Sequence, residues 1–148
     1  MAPQPKGRTD FQVMTEIGII AQLANARLER SLPEGLSAAQ FGVLNHFMRR
    51  GGQESPAQLA KAFQITKGAM TNTLQRLEAQ GFVAIVGDKA DGRRKLVSLT
   101  PAGVAAYEAG VAALRPRMEA MRAAFTEAEF AAALPFLTGL RTWLDDNR

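Results

Sequence analysis

Four basic side chains, Lys89, Arg93, Arg94 and Lys95, crowd the stretch GDKADGRRKLVSLTPAG from Gly87 to Gly103. The chemistry open to such a cluster is anion binding. An Asp91-Gly92 dipeptide, a hairpin signal, sits among them. A second set lies just upstream. Lys67, Gly68, Thr71, Asn72 and Gln75 fall on one side of a helical pattern, away from Met70, Leu74 and Leu77. In such a row Asn and Gln can pair with adenine, and Thr can touch a thymine methyl. Gly68 and Ala69 would let the helix end approach closely. Thr66 and the first backbone N–H groups can hold a phosphate. Lys61 and Arg76 suit phosphate contacts, which position without specifying sequence. The plain alternative is a polar helix face in water.

Charge distribution separates these readings. The 148 residues carry a formal charge of +4, yet Arg49 to Lys95 alone hold nine basic and four acidic residues. The rest is close to neutral, with nine basic and ten acidic residues. A localised excess points to a binding face for an acidic partner rather than to a uniformly basic surface. There is no cysteine and a single histidine. That removes disulfides, thiolate metal sites, cysteine nucleophiles and thiol switches, and leaves no nucleophile–base pair to nominate for catalysis. No enzyme, metal or cofactor is expected, and Asp145-Asp146 reads as a solvated tail. The opening MAPQPKGR has no apolar signal-like core, and no apolar run approaches a membrane span, so a cytoplasmic protein is expected.

The elements that must position these residues can be read from periodicity. Val13, Ile17, Ile20, Ala24 and Leu28 predict a helix over Asp10 to Arg30. Ser37 with Gln40 predicts a capping box for a second helix, stopped at Gly51-Gly52. Ser55-Pro56 opens a short third helix ending near Phe63. Gln64-Ile65 make a turn, and Thr66 caps a fourth helix running to about Gln80, with Ile65, Met70, Leu74 and Leu77 inward. Gly81 is a left-handed cap candidate. Phe82 to Val86 and Lys95 to Leu99 predict two strands of a hairpin. Thr100-Pro101 starts a long fifth helix, in which Val104, Tyr107, Val111, Leu114, Met118, Met121 and Phe125 repeat as an a/d seam. Thr126 with Glu129 starts a sixth. Interior prolines at 116 and 135 predict a kink in each of the last two helices.

A short helix, a tight turn, a polar reading helix and then a basic-tipped hairpin form a winged helix-turn-helix. The wing would bring Arg93 and Arg94 to a minor groove, whose negative potential attracts arginine. Asp91 has two readings: a buttress that orients an arginine by a charge-assisted hydrogen bond, or a turn-favouring residue with no partner.

The run SPAQLAKAFQITKGAMTNTLQRLEAQGFVAIVGDKADGRRKLVSLTPAG resembles the core of the MarR (multiple antibiotic resistance regulator) family of bacterial transcription factors, from about Leu36 to Gly103. Leu77 to Val83 and Asp91 to Gly103 are its most specific pieces. The resemblance implies a mainly α fold with a small β-hairpin. Residues 36–100 would form the winged helix-turn-helix DNA-binding domain, and 1–35 with 101–148 a helical dimerisation domain. It implies a homodimer on a pseudo-palindromic double-stranded operator, acting as a repressor released by a small aromatic or phenolic ligand. The expected DNA contacts are Ser55, Lys61, Thr66, Lys67, Gly68, Ala69, Thr71, Asn72, Gln75, Arg76, Asp91, Arg93, Arg94 and Lys95. By the family pattern Arg93 enters the groove. Gly92 stands where members often carry a basic residue, which leaves Arg94 competing for that role. Asn45 and His46, the polar members of an otherwise apolar helix, are the candidate ligand contacts; the plainer reading of such a histidine is a satisfied core or surface residue. The alternatives are a nonspecific architectural DNA binder and a winged helix that binds an acidic protein.

Overall fold

The computed structural model describes residues 8–148. The first seven residues of the polar opening, and that part of the expected 1–35 segment, lie outside the described residues. The chain divides into two compact units, one extending to Ala113 and one formed by Leu114–Arg148.

The first unit begins with helix α1 (Thr9–Ser31), followed by α2 (Ala38–Arg50). The capping box at α2 is formed: the Ser37 hydroxyl accepts from the Gln40 amide, and the Gln40 side chain accepts from the Ser37 amide. Gly51 ends the helix with φ of 68°. A two-residue strand β1 (Gln53–Glu54) then leads into α3 (Pro56–Phe63), capped by Ser55, and α4 (Lys67–Ala79), capped by Thr66. Gln64 supplies the left-handed turn between them, at φ 54°. Strands β2 (Val83–Gly87) and β3 (Lys95–Leu99) form the hairpin, and α5 (Pro101–Ala124) leaves it.

The sheet has three strands in the order β1-β3-β2, not the two expected. Ile85 faces Val97 across β2 and β3, and Glu54 faces Val97 from the other side. A two-residue strand carries too little alternation to show in the sequence. The core of this unit is Leu44, Leu59, Met70, Leu74, Leu77 and Val97, all fully buried. Ile65 is 43% exposed, against the expectation that it faces inward. It sits in the turn ahead of α4, where its amide is held by the Ala60 carbonyl.

Two glycines seat α5. A methyl on Gly103 would run into the Phe82 carbonyl oxygen, and one on Gly110 would lie 2.6 Å from the Phe41 ring. That ring stacks on Tyr107 at 5.5 Å. The buried positions of α5 in this unit are therefore Gly103 and Gly110, flanking Tyr107, while Val111 is 39% exposed.

The second unit holds the end of α5 and all of α6 (Glu127–Asp146). Helices α5 and α6 continue through Pro116 and Pro135. Thr126 caps α6, and hydrogen bonds from its backbone N–H and its hydroxyl hold the Glu129 carboxyl below its usual pKa. Phe125 and Phe130 meet edge to face at 6.3 Å.

Gly103→Ala should cost about 1–3 kcal/mol of unfolding free energy, because a backbone carbonyl has no easy way to yield. Gly68→Ala, at a position with open space around it, should be neutral or stabilising by up to about 0.5 kcal/mol. Urea denaturation of the two variants checks both.

Candidate nucleic-acid interface

Helix α4 presents its polar row as its pattern demands. Lys67, Gly68, Thr71, Asn72 and Gln75 are all exposed, whereas Met70, Leu74 and Leu77 are buried on the other side. The helix is packed chiefly against α3, β2 and α2. The polar row is thus held rigidly by an apolar footing rather than by its own side chains. At the N-terminus the Thr66 hydroxyl accepts from the Ala69 amide at 3.1 Å. The amides of Lys67 and Gly68 have no acceptor within the helix, which is what an anion at this end needs. Lys61 and Arg76 are exposed on α3 and α4.

Ser55 departs from this set. It is 6% exposed, its hydroxyl accepts from the Gln58 amide, and its own amide donates to the Gln58 side chain. Its polar groups are used inside the protein, so its role is to cap α3.

The wing tip is the seven-residue loop Asp88–Arg94. Lys89, Arg93, Arg94 and Lys95 are exposed, and none is ion-paired with an acid among the described residues. Asp91 does not hold a guanidinium. Its carboxylate accepts from the backbone N–H of Arg93 at 3.1 Å, and its carbonyl accepts from the Arg94 N–H at 3.0 Å. The turn spans Asp91 to Arg94 with Gly92 and Arg93 at its centre. Asp88 does parallel work: its carboxylate accepts from the Ala90 N–H at 2.9 Å, and its own N–H donates to the Arg94 carbonyl at 2.8 Å.

The chain belongs to the MarR family. A family model described as MarR family matches residues 34–94. The multiple antibiotic resistance protein MarR of Salmonella typhimurium is 32% identical over 103 residues, which cover 66% of this chain and 71% of that one. The crystal structure of a mutant MarR from Escherichia coli complexed with operator DNA is similar, with a TM-score of 0.71 and 26% identity, covering 93% of this chain and 99% of that one. So is a structure of BpsR from Bordetella bronchiseptica, a study of how 6-hydroxynicotinic acid regulates its DNA binding, with a TM-score of 0.71 and 29% identity over 88% and 98% of the two chains. The winged-helix fold is shared with these MarR-type proteins.

The two residues marked as ligand contacts point apart. Asn45 is exposed, whereas His46 is 6% exposed. His46 Nε2 lies 2.9 Å from Glu54 Oε2, and its ring packs against Phe47 and Phe63. An ionised carboxylate only accepts, so Nε2 carries the proton. Glu54 Oε1 takes Arg50 at 3.3 Å. The histidine therefore ties α2 to β1, and its polar atom on this side is spoken for.

Glu54 was invisible in the sequence, because nothing local marks a two-residue strand that brings it under α2. Gly110 had a weak signal: it follows Gly103 by seven residues, on the same helix face. Asp88 had the same turn chemistry as Asp91. A cleft of about 600 Å³ opens beside the C-terminal half of α4, lined among others by Glu29, Leu32, Gln40, Arg76 and Gln80. Its floor is braced by Gln40, whose side-chain amide donates to Gln80, which donates in turn to the Gly35 carbonyl.

His46→Ala leaves a cavity beside Phe63 and removes one of the donors to Glu54. It should lower unfolding free energy by about 2–4 kcal/mol, while Asn45→Ala changes it by less than about 0.5 kcal/mol. Chemical denaturation of both variants distinguishes a core histidine from a surface one.

Proposed function

We propose that this chain acts as a sequence-specific DNA-binding transcriptional regulator, a homodimer that places one winged helix in each half of a pseudo-palindromic operator. The observation that carries the reading is the exposed row Lys67, Gly68, Thr71, Asn72 and Gln75 on a helix footed in the core, followed in the chain by a wing whose four cations have no acidic partner among the described residues. The exposed row of α4 from Lys67 to Gln75 reads base edges in the major groove, and the wing takes the adjacent minor groove.

The dimer is supported by apolar surface that water would penalise. Phe11, Ile20 and Leu23 on α1 are more than half exposed, as are Leu134, Phe136 and Trp143 on α6. Of the α5 seam, Val111, Met118, Met121 and Phe125 are exposed too. Faces of this size on three helices call for a second copy. Residues 1–35 and 101–148 would supply the dimerisation domain and 36–100 the DNA-binding domain. No helix among the described residues is long and apolar enough to cross a membrane, and the site of action is the cytoplasm, where the operator is.

DNA release by a small aromatic or phenolic ligand completes the reading. It rests on relatives such as BpsR and on the cleft beside α4, where a bound molecule would touch the reading helix through Arg76 and Gln80. His46, held by Glu54, is a poorer contact.

The binding experiment is a titration of the DNA flanking the protein's own gene against a scrambled sequence at physiological salt. Specific affinity should exceed nonspecific affinity by about a thousandfold or more, with half-sites about 10 bp apart. Equal affinities would make the protein a nonspecific architectural binder instead. Asn72→Ala or Gln75→Ala should relax base preference at one position each, at about 1–3 kcal/mol. Arg93→Ala and Arg94→Ala should weaken binding and reduce the salt dependence, each by about one counterion per wing. The variant with the larger loss identifies the arginine in the groove.

A further inference from the structure

The wing carries two acids, Asp88 and Asp91, on a surface proposed to meet phosphate. Uncompensated, each would repel the DNA. One of the two readings of Asp91 has it face a guanidinium, yet neither carboxylate is within ion-pair distance of a basic group among the described residues. Each instead accepts a backbone N–H two residues ahead: Asp88 from Ala90 and Asp91 from Arg93. The loop is closed by two further backbone bonds, Asp88 N–H to the Arg94 carbonyl and Arg94 N–H to the Asp91 carbonyl. Four hydrogen bonds thus fix seven residues that bury almost no side chain. Beyond these two carboxylates no side chain in the loop does any ordering: Lys89, Ala90, Gly92, Arg93 and Arg94 are all exposed.

We infer that Asp88 and Asp91 are a matched pair of positioning residues that build the wing through its backbone, leaving both Arg93 and Arg94 unclaimed for DNA. This rests on the DNA-binding reading above. The carboxylates are used for their oxygen geometry, not for their charge. An amide oxygen in the same place accepts the same N–H, since Asn makes this two-residue turn as readily as Asp. A buttress that works by ion pairing would instead lose its strength when the charge goes. The two mechanisms therefore predict opposite results for Asp→Asn. Free of internal ion pairs, the arginines lose no bond when they turn to the groove. The loop geometry is set before DNA arrives, so less ordering entropy is lost on binding.

The test uses the full chain and two double variants, D88N/D91N and D88A/D91A, titrated against the operator and against scrambled DNA. D88N/D91N should bind the operator as tightly as the parent or up to several-fold tighter, because the turns survive and two repelling charges are gone. D88A/D91A should bind at least about tenfold more weakly, the fold-change of roughly 1.4 kcal/mol expected when the two side-chain hydrogen bonds to the backbone are lost. Thermal midpoints of both should stay close to the parent's, since the loop contributes nothing to the core. A tenfold or greater loss in both variants would restore the ion-pair buttress and overturn the inference. An unchanged D88A/D91A would overturn it as well, showing that the wing needs no frame. Amide exchange of Ala90 and Arg93 in the DNA-free protein reads the same bonds independently: protection retained in the Asn variant and lost in the Ala variant supports the frame, and equal exchange in parent and Ala variant refutes it. If the parent itself fails to prefer the operator, the DNA-binding reading falls, while the exchange measurement still decides the role of the two acids.

Discussion

The carbonyl oxygen of Phe82 and the bare backbone of Gly103 meet where the hairpin hands over to α5, and the winged helix depends on that contact. Thr100 completes it. Its amide donates to the Phe82 carbonyl at 3.1 Å, its hydroxyl donates to the Gly81 carbonyl at 2.6 Å, and the same hydroxyl accepts from the Gly103 amide. Gly81, at φ 77°, is the left-handed residue that ends α4 and turns the chain into β2. One threonine therefore ties together the end of the reading helix, the first strand of the wing and the start of α5. A side chain at 103 would push α5 off Phe82, and the hairpin would lose its anchor at the end opposite the tip.

From that junction the molecule sorts its surfaces by chemistry. The buried apolar residues concentrate in the winged helix: Leu44, Leu59, Met70, Leu74, Leu77 and Val97 make a complete core there. Helices α1 and α6 contain no buried residue at all, although both are rich in apolar side chains. An apolar stripe left open along a whole helix is the surface on which the proposed dimer rests. Polar groups follow the opposite rule. His46 is buried, but Glu54 receives it and also takes Arg50, and among the described residues no buried side-chain polar atom lacks a partner.

Much of this is legible in the sequence. Three capping boxes, Ser37 with Gln40, Ser55 with Gln58, and Thr126 with Glu129, are formed in the structure; residue spacing marks the first and third as boxes and the second as a Ser-Pro start. Each is a local pattern whose partners lie three residues apart, so sequence spacing alone specifies it. The same holds for the sides of α4. What escaped were features whose partners are distant along the chain. Strand β1 exists because β3 offers its free edge to Gln53 and Glu54, forty-odd residues away. His46 is a core residue because that strand carries Glu54 beneath it. Asp91 is a local case by contrast: of its two readings as a buttress or a turn-favouring residue, the turn is the one formed, with the Arg93 amide two residues on as its donor.

Residue types and spacing by themselves determined the winged-helix order, the polar row of the reading helix, the basic wing and the family resemblance, because helix periodicity, caps and turn dipeptides act over a few residues. Only the tertiary structure decided that GDKADGRRKLVSLTPAG closes its tip with Asp88 and Asp91 on backbone amides and closes its base with Thr100 on Gly81 and Phe82. The physical reason is competition. A carboxylate or a hydroxyl can satisfy itself with several donors or acceptors, and which one wins depends on distances that exist only after the chain has folded back on itself.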